Sequence, residues 1–410
     1  MKIAASALSD RGLKREGNED QYLIDESLGL FIVCDGMGGH AAGEVAAERA
    51  IEFTVQHISS HVDDLASAVE KPDGHFRILK LVEEAVRIAS QEVNQLARSS
   101  PAYAGMGTTL TMLMIVVDKG IIAHVGDSRL YLMRGGEIHQ LTVDHTLANE
   151  MFRAGELTKD QAAISRYQHV LTRSIGPHES VAIDTLLFDL LPGDKLLLCS
   201  DGLSNYFPDS SVVAELLAKP KIACQPDPLI EYAKDSGGAD NITAIVVETF
   251  SESDVDAMPD TEERMRFLRE SFLGRSMSVR RLLHLMTTTS SIHCNVGKEL
   301  IALGAKCPGM YIVMAGAFRV IDDEVVESEL VKGDCFGQAT LIAPANSPVT
   351  LIASEPSRVL LIDRRSFTRL AKRIPRLGNL LLRNLCRHLS ETIISSEAPR
   401  PMSLDDTGPL

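Results

Sequence analysis

Three strongly apolar runs in the first half of the chain end alike, with an aspartate beside Gly or Ser. They are Phe31-Ile32-Val33-Cys34-Asp35-Gly36, His124-Val125-Gly126-Asp127-Ser128-Arg129 and Leu196-Leu197-Leu198-Cys199-Ser200-Asp201-Gly202. Asp240-Asn241 instead opens a fourth such run, residues 242–247. A single Asp at a strand end ordinarily forms a turn with its own backbone. Four of them, each attached to a strand that must be buried, set like charges at the rim of a core, where they raise one another's pKa unless a cation lies among them. The donors at these strand ends are oxygens alone, which suits a hard octahedral ion, Mg2+ or Mn2+, and not zinc. Two such ions bridged by one carboxylate can hold a hydroxide between them for attack on a phosphoryl group. Phosphate also calls for a cationic fork. Arg15, in Asp10-Arg11-Gly12-Leu13-Lys14-Arg15-Glu16-Gly17-Asn18-Glu19-Asp20, can supply one, or can be a solvated surface charge.

Elements that could carry these residues are readable over residues 1–250. Runs at 30–34, 109–117, 120–125, 130–133, 195–199 and 242–247 are dense in Val, Ile, Leu and Thr and bounded by Gly, Asp or Asn, which predicts strands. Short polar turns, Asp118-Lys119-Gly120 and Gly126-Asp127-Ser128, join the second, third and fourth, which predicts an antiparallel meander. Apolar residues at three- and four-residue spacing predict helices over 43–58 and 79–96. Long hairpins with separate helices indicate an α+β class, helices covering sheets. An acidic, Pro-containing stretch follows Phe250, so the expected division is a first domain at 1–250, a linker and helix at 251–278, a second domain at 279–392 and a flexible tail at 393–410.

Composition removes several classes of function. The chain has 410 residues with 41 Lys+Arg against 56 Asp+Glu, a formal charge of −15 that opposes general nucleic-acid binding. No apolar stretch approaches the roughly 20 residues of a spanning helix, and Met1 to Asp10 shows no signal-peptide core, so the expectation is a cytoplasmic protein without a membrane partner. The seven cysteines form no C-x-x-C pair, and none is followed by Arg six positions on, which excludes thiolate-based phosphate chemistry. Gly38-Gly39-His40-Ala41-Ala42-Gly43-Glu44 has the glycines of a P-loop but Glu where Lys must stand.

Taken in order, Arg15…Asn18-Glu19-Asp20, Asp35-Gly36-Met37-Gly38-Gly39-His40, Gly107-Thr108-Thr109, Gly126-Asp127-Ser128-Arg129, Ser200-Asp201-Gly202 and Asp240-Asn241 resemble the PPM-type metal-dependent protein serine/threonine phosphatases in their bacterial form. The resemblance spans about residues 1–250. It implies an αββα sandwich with the active site in the channel between the sheets, and a phosphoserine or phosphothreonine protein as substrate. It implies that Asp35 bridges two Mn2+ or Mg2+ ions, that the Gly36 carbonyl binds one, and that Asp201 and Asp240 bind the other. Glu19 and Asp20 would hold metal-bound waters, and Asp127 with Asp201 a weaker third ion. Residues 145–176 look like the flap beside the site in this family. Some members place a His directly after Asp-Gly; here Met37 stands there and the nearest imidazole is His40. That imidazole either protonates the leaving alkoxide or caps the helix beginning at Ala41.

The second half differs in charge, with 15 Lys+Arg against 10 Asp+Glu between Arg280 and Glu391. Short β-like runs at 311–314, 318–321, 349–352 and 359–362 precede an Arg-rich helical pattern over 366–389, and Asp322-Asp323-Glu324 reads as a hairpin turn. Gly304…Cys307-Pro308-Gly309 through Gly316, then Gly333-Asp334-Cys335-Phe336-Gly337-Gln338, then Thr350…Ala353 resemble the cyclic-nucleotide-binding domain, a small jelly-roll-like β-barrel with flanking helices. In that family Glu follows Phe-Gly for the ribose and Arg comes about nine residues later for the phosphate. Here Phe336-Gly337 is followed by Gln338, and Ser347 stands for the Arg, so the anion clamp is missing and cyclic AMP binding should be weak or absent. A docking or dimerisation element, a sensor for another small-molecule effector and a nucleotide site with a different cation all stay open. The chain reads as a phosphatase regulated by its C-terminal half. A non-catalytic phosphatase-like sensor or scaffold and a cyclic-nucleotide-gated phosphatase are the alternatives.

Overall fold

The computed structural model describes residues 1–38, 42–68, 74–207, 209–218, 225–251, 258–322 and 325–397. His40, Cys224, Asp323, Glu324 and residues 398–410 lie outside them. The chain forms two compact units, Met1–Met258 and Pro259–Leu410.

The first unit runs β1 (Lys2–Asp10), β2 (Asp20–Asp25), β3 (Leu30–Met37), α1 (Ala42–Ser59), α2 (Val62–Ala68), α3 (Gly74–Ser99), β4 (Gly107–Thr108), β5 (Leu110–Val116), β6 (Lys119–Val125), β7 (Arg129–Arg134) and β8 (Glu137–Gln140). It continues with α4 (Leu147–Ala154), α5 (Lys159–Ala163), β9 (Asp184–Asp189), β10 (Lys195–Cys199), α6 (Asp201–Ser204), α7 (Ser210–Ala218), α8 (Asp227–Asp235) and β11 (Ile242–Phe250). One antiparallel sheet has the order β2-β3-β5-β6-β9, with β4 on β3; the other has β1-β11-β10-β7-β8. Leu30, Ile32 and Cys34 of β3 face a core shared with Ala46, Ala50, Val82 and Val86 of α1 and α3. Alternation turns Phe31 and Val33, also fully buried, to the opposite face. In the other sheet Leu197 and Cys199 face a core shared with Leu217 and Leu229 of α7 and α8. Strands covered on both faces must be apolar at every position, which is why β3 and β10 read as unbroken hydrophobic runs. The result is the αββα sandwich.

One expectation fails here. The second, third and fourth runs do not form a single meander: β5 and β6 pair, but β7 lies in the other sheet between β10 and β8. The chain changes sheets at Gly126-Asp127-Ser128, where Gly126 has φ +111°. A Cβ there would meet Thr109 Cγ2 at 2.5 Å, so only glycine allows the crossing.

The second unit runs α9 (Met258–Glu270), α10 (Val279–Met286), β12 (Thr289–Cys294), β13 (Glu299–Ile301), β14 (Gly309–Ala315), β15 (Phe318–Asp322), β16 (Val325–Leu330), β17 (Cys335–Phe336), β18 (Thr350–Ala353), β19 (Ser357–Asp363), α11 (Arg364–Arg373) and α12 (Pro375–Glu397). Sheets β12-β19-β14-β17 and β13-β18-β15-β16 enclose Tyr311, Val313, Phe318, Leu351 and Val359. The helix expected within the connecting segment is found at Met258–Glu270. It is fastened to this unit by Ser291 Oγ donating to Asp260 at 2.8 Å and by the Arg358–Glu263 ion pair. The expected single Arg-rich helix is two, because Pro375 cannot donate to the turn before it. The second helix is described to Glu397, past residue 393 where the tail was expected. Among the described residues no helix is long and apolar enough to cross a membrane.

Candidate metal centre

The strand register sets the site. Asp20 opens β2 and pairs directly with Asp35 near the end of β3, which brings two carboxylates together at one sheet end. The Asp35 main chain is fixed from the neighbouring segment: its amide donates to Thr109 Oγ1 at 2.9 Å, and its carbonyl accepts from the Thr109 amide and from Thr108 Oγ1, both at 2.9 Å. Asp20 reaches across to the other sheet. Its Oδ2 accepts from Ser200 Oγ and from Thr243 Oγ1, each at 2.7 Å, while its buried Oδ1 has no partner. Asp201 begins α6 directly after β10, and its Oδ1 is likewise buried and unpartnered. Its Oδ2 accepts from Asn205 Nδ2 at 3.1 Å and lies 3.5 Å from Nδ1 of His169.

Two close approaches seat the rest. A Cβ on Gly36 would lie 2.2 Å from the Gly43 carbonyl oxygen, and one on Gly43 would lie 2.8 Å from the Glu19 carboxyl, so the start of α1 packs backbone to backbone under Glu19 and Gly36. Asn241 ties the motif of Glu19 to that of Asp240: its Oδ1 accepts from the Glu19 amide at 2.8 Å, and its Nδ2 donates to the carbonyls of Arg11 and Gly17. Arg15, half-exposed at the mouth, donates from Nη2 to Asp240 Oδ2 at 2.7 Å.

Electrostatics follow from this crowding. Burial, then the charges of Asp20, Asp201, Asp127 and Asp240, push the Asp35 carboxyl well above its ordinary range. Burial and neighbouring acids push Asp20 up to about 7 and Asp127 up to about 8. Burial also pushes Asp201 upward, but its hydrogen bonds and the charge of His169 outweigh it and leave the carboxyl low. Glu19 is raised, first by burial. A rim of acids that cannot all ionise together, two of them with orphaned oxygens, fits a site for hard divalent cations. Among the described residues no three His, Cys, Asp or Glu side chains close into a ready-made cage.

The structure therefore gathers Arg15, Glu19, Asp35, Gly36, Asp127, Asp201 and Asp240 along one open cleft of about 1400 Å3, with Asp20 buried beside Asp35. His40 is outside the described residues, and Met37 lines the cleft. Several participants escaped the motif reading. His169 comes from the flap, where it looks like one polar residue among many. Thr243 matters through its hold on Asp20, shared with the motif residue Ser200, and Asp144 takes a forked pair of bonds from Arg129 (Nε to Oδ1 3.1 Å, Nη2 to Oδ2 2.7 Å). No local pattern in the sequence names the partner of any of these side chains.

The C-terminal candidates sit differently. Phe336 pairs with Tyr311, and Gly337 has φ +78° with no room for a Cβ beside the Gly309 carbonyl at 2.7 Å. Gln338 Nε2 donates to the Cys335 carbonyl at 3.2 Å, and the buried Ser347 hydroxyl donates to the Val349 carbonyl at 2.6 Å.

Comparison with known proteins adds to this geometry. The family described as Protein phosphatase 2C matches residues 14–225, and the Cyclic nucleotide-binding domain matches residues 292–374. The chain is 37% identical over 246 residues to Protein phosphatase PhpP of Streptococcus pneumoniae, covering 59% of this chain and 96% of that protein. It is 36% identical over 247 residues to the Serine/threonine phosphatase stp of Listeria welshimeri, covering 58% and 93%. The crystal structure of the Mycobacterium tuberculosis serine/threonine phosphatase PstP/Ppp superposes with a TM-score of 0.54 at 33% identity, over 61% of this chain and 99% of that one. The PstP catalytic domain in complex with two manganese ions superposes with a TM-score of 0.51 at 34% identity, over 61% and 99%.

Proposed function

The chain belongs to the protein phosphatase 2C family and is a metal-dependent protein serine/threonine phosphatase, and on that premise we propose how its own residues divide the work. Asp35 and the Gly36 carbonyl, with Asp201 and Asp240, hold two divalent ions, Mn2+ or Mg2+. Glu19 and Asp20 hold the ions' water, and Asp127 with Asp201 takes a third, weaker ion. Bound there, the ions supply positive charge to the phosphoryl oxygens and acidify water for attack. Arg15 leaves Asp240 to fork onto the phosphoryl group, its exposed guanidinium being the cation at the mouth of the cleft. Ser200 and Thr243 fix Asp20 so that only Oδ1 faces the site, and Thr108 and Thr109 fix Asp35 at its backbone. His40 is the proposed proton donor to the leaving alkoxide. The observation that carries this reading is the pair of orphaned, buried oxygens, Asp20 Oδ1 and Asp201 Oδ1, beside an Asp35 whose carboxyl burial, then the neighbouring acids, raises well above its ordinary range.

The rival scaffold reading expects a lost metal carboxylate, whereas every one of them is present. We propose further that residues 259–397 act as a regulatory unit, supported by the separate compact unit and its cyclic nucleotide-binding match. Both ideas meet in one assay. Hydrolysis of an aryl phosphate and of a phosphothreonine peptide is measured with Mn2+, with EDTA and with D201N, on the full chain and on residues 1–258. EDTA should stop turnover, and D201N should lower kcat by at least about 100-fold, the scale of losing one preorganised electrostatic group. Metal-independent turnover, or an unimpaired D201N, contradicts the assignment of the site. Equal rates for the two lengths contradict regulation in cis.

A further inference from the structure

The loop that carries Asp127 is held by the root of the flap. Residues 126–130 and 141–145 face each other through a run of polar contacts: the Leu141 amide to the Leu130 carbonyl at 2.8 Å, the Leu130 amide to Thr142 Oγ1 at 3.1 Å, and Arg129 on Asp144. His145, buried at 2% exposure, closes this run and engages Gly126 twice. Its main-chain amide donates to the Gly126 carbonyl at 2.8 Å, and its ring Nδ1 accepts from the Gly126 amide at 3.1 Å.

The second contact uses the ring as an acceptor. A backbone amide can only donate, so Nδ1 offers Gly126 a lone pair. Nε2 lies 3.6 Å from Asp184 Oδ1, and Arg173 Nη1 reaches the same oxygen at 3.1 Å. Arg173 Nη1 also lies 3.2 Å from Nε2, so the guanidinium bridges the ring and Asp184. The returning arm of the flap is stitched to the same residue, since the Thr172 amide donates to the His145 carbonyl at 2.8 Å. One imidazole thus joins the Asp127 loop, both arms of the flap and the first residue of β9.

We propose that His145 is a positioning residue for the phosphatase reaction, its Nδ1 holding Gly126 so that Asp127 faces Asp201, and its Nε2 edge joining that loop through Arg173 and Asp184 to the flap root. The inference deepens the phosphatase reading and rests on it for its effect on rate. It touches no substrate, so removing it acts through Asp127 and not through the binding of phosphate.

The test uses the full chain with H145N, H145Q and H145A. Asn places Oδ1 about where Nδ1 was and keeps an acceptor for Gly126, whereas Gln extends toward the Nε2 position and loses that acceptor. Three readouts are taken: kcat and KM for an aryl phosphate at saturating Mn2+, the number of Mn2+ ions bound per chain from the electron paramagnetic resonance signal of free Mn2+, and the melting temperature. A misplacement on the ångström scale predicts that H145A and H145Q lose about 100-fold in kcat with KM held within about twofold, while H145N stays within about threefold of wild type. H145A and H145Q should also lose the weakest class of bound Mn2+, and H145N should keep it. Equal behaviour of H145N and H145Q, or a wild-type rate and ion count in H145A, overturns the proposal. Should H145A fail to fold, the contrast of Asn with Gln decides alone. A wild type that binds Mn2+ but does not turn over overturns the phosphatase reading, and the ion counts then judge His145 by themselves.

Discussion

The rim of carboxylates in the first unit and the turn after Phe336 in the second are both functional-looking pockets of polar residues, but they treat their hydrogen-bonding capacity in opposite ways. Around Asp35 two buried carboxylate oxygens have no partner and several acids repel one another. Around Gly337 the polar side chains are satisfied from within: Gln338 bonds Cys335, Thr340 Oγ1 donates to the Gly337 carbonyl at 2.5 Å, and Ser347 bonds Val349. Buried polar groups are stable when paired and costly when not. The first arrangement persists because something absent from the polypeptide completes it. The second is complete as it stands. Family likeness alone would have ranked both as ligand sites, and the accounting of partners separates them.

That contrast breaks most readily at Gly36. A methyl group there would sit 2.2 Å from the Gly43 carbonyl and 2.6 Å from that of Glu19, both backbone atoms with nowhere to go. G36A should abolish turnover and lower the melting temperature by several degrees, since main chain must move to admit it. G337A strains an equivalent turn, with a Cβ 2.7 Å from the Gly309 carbonyl, but in the other unit. It should lower the Mn2+-dependent kcat of the full chain far less than G36A lowers it. A G36A protein with near wild-type kcat would show that the seat of Glu19 and Gly36 does not set the site.

The pH dependence of stability sharpens the comparison next. In the metal-free protein Asp20 and Asp127 have carboxyls raised to about 7 and about 8, first by burial. A folded-state value above the unfolded one means that the folded chain keeps protons the unfolded chain has released. The resulting stability is whole below about pH 4 and is lost as pH climbs to 8. His169, raised by its bond to Asp201, adds in the same direction. Asp201 works oppositely, because its hydrogen bonds and the charge of His169 leave its carboxyl below the ordinary carboxylate range. Melting in EDTA should fall by at least about 5 °C from pH 5 to pH 8, and Mn2+ should restore more at pH 8 than at pH 5. A flat profile in EDTA would mean that the carboxylates do not repel one another as their burial implies.

Sequence showed the candidate carboxylates and hid their supports, for a physical reason. Asp35, Asp127 and Asp201 are each announced by the apolar strand they terminate, and a strand buried on both faces is readable without knowing its neighbours. The order of strands is not so readable: nothing in Gly126-Asp127-Ser128 distinguishes a hairpin from a crossing to the second sheet until Thr109 is seen to occupy the space a Cβ would need. Thr243, Asp184 and His145 were invisible because their roles are defined by partners far along the chain. Pro375 is the reverse case, a local signal passed over because the basic periodicity on both sides of it is continuous.

The smallest expected effect belongs to the satisfied turn. If Gln338 and Ser347 already have their partners and no guanidinium replaces the missing clamp, cyclic AMP or cyclic GMP at about 1 mM, roughly a thousand times what a micromolar site would need, should shift the melting of the full chain by less than about 1 °C. Q338A should then melt close to wild type, because the Cys335 carbonyl it releases belongs to a half-exposed strand that water can reach. A rise of several degrees with either nucleotide would require a cation from elsewhere to meet the cyclic phosphate. It would also mean that internal satisfaction of a turn is no guide to its emptiness, which would remove the ground on which the two sites were told apart.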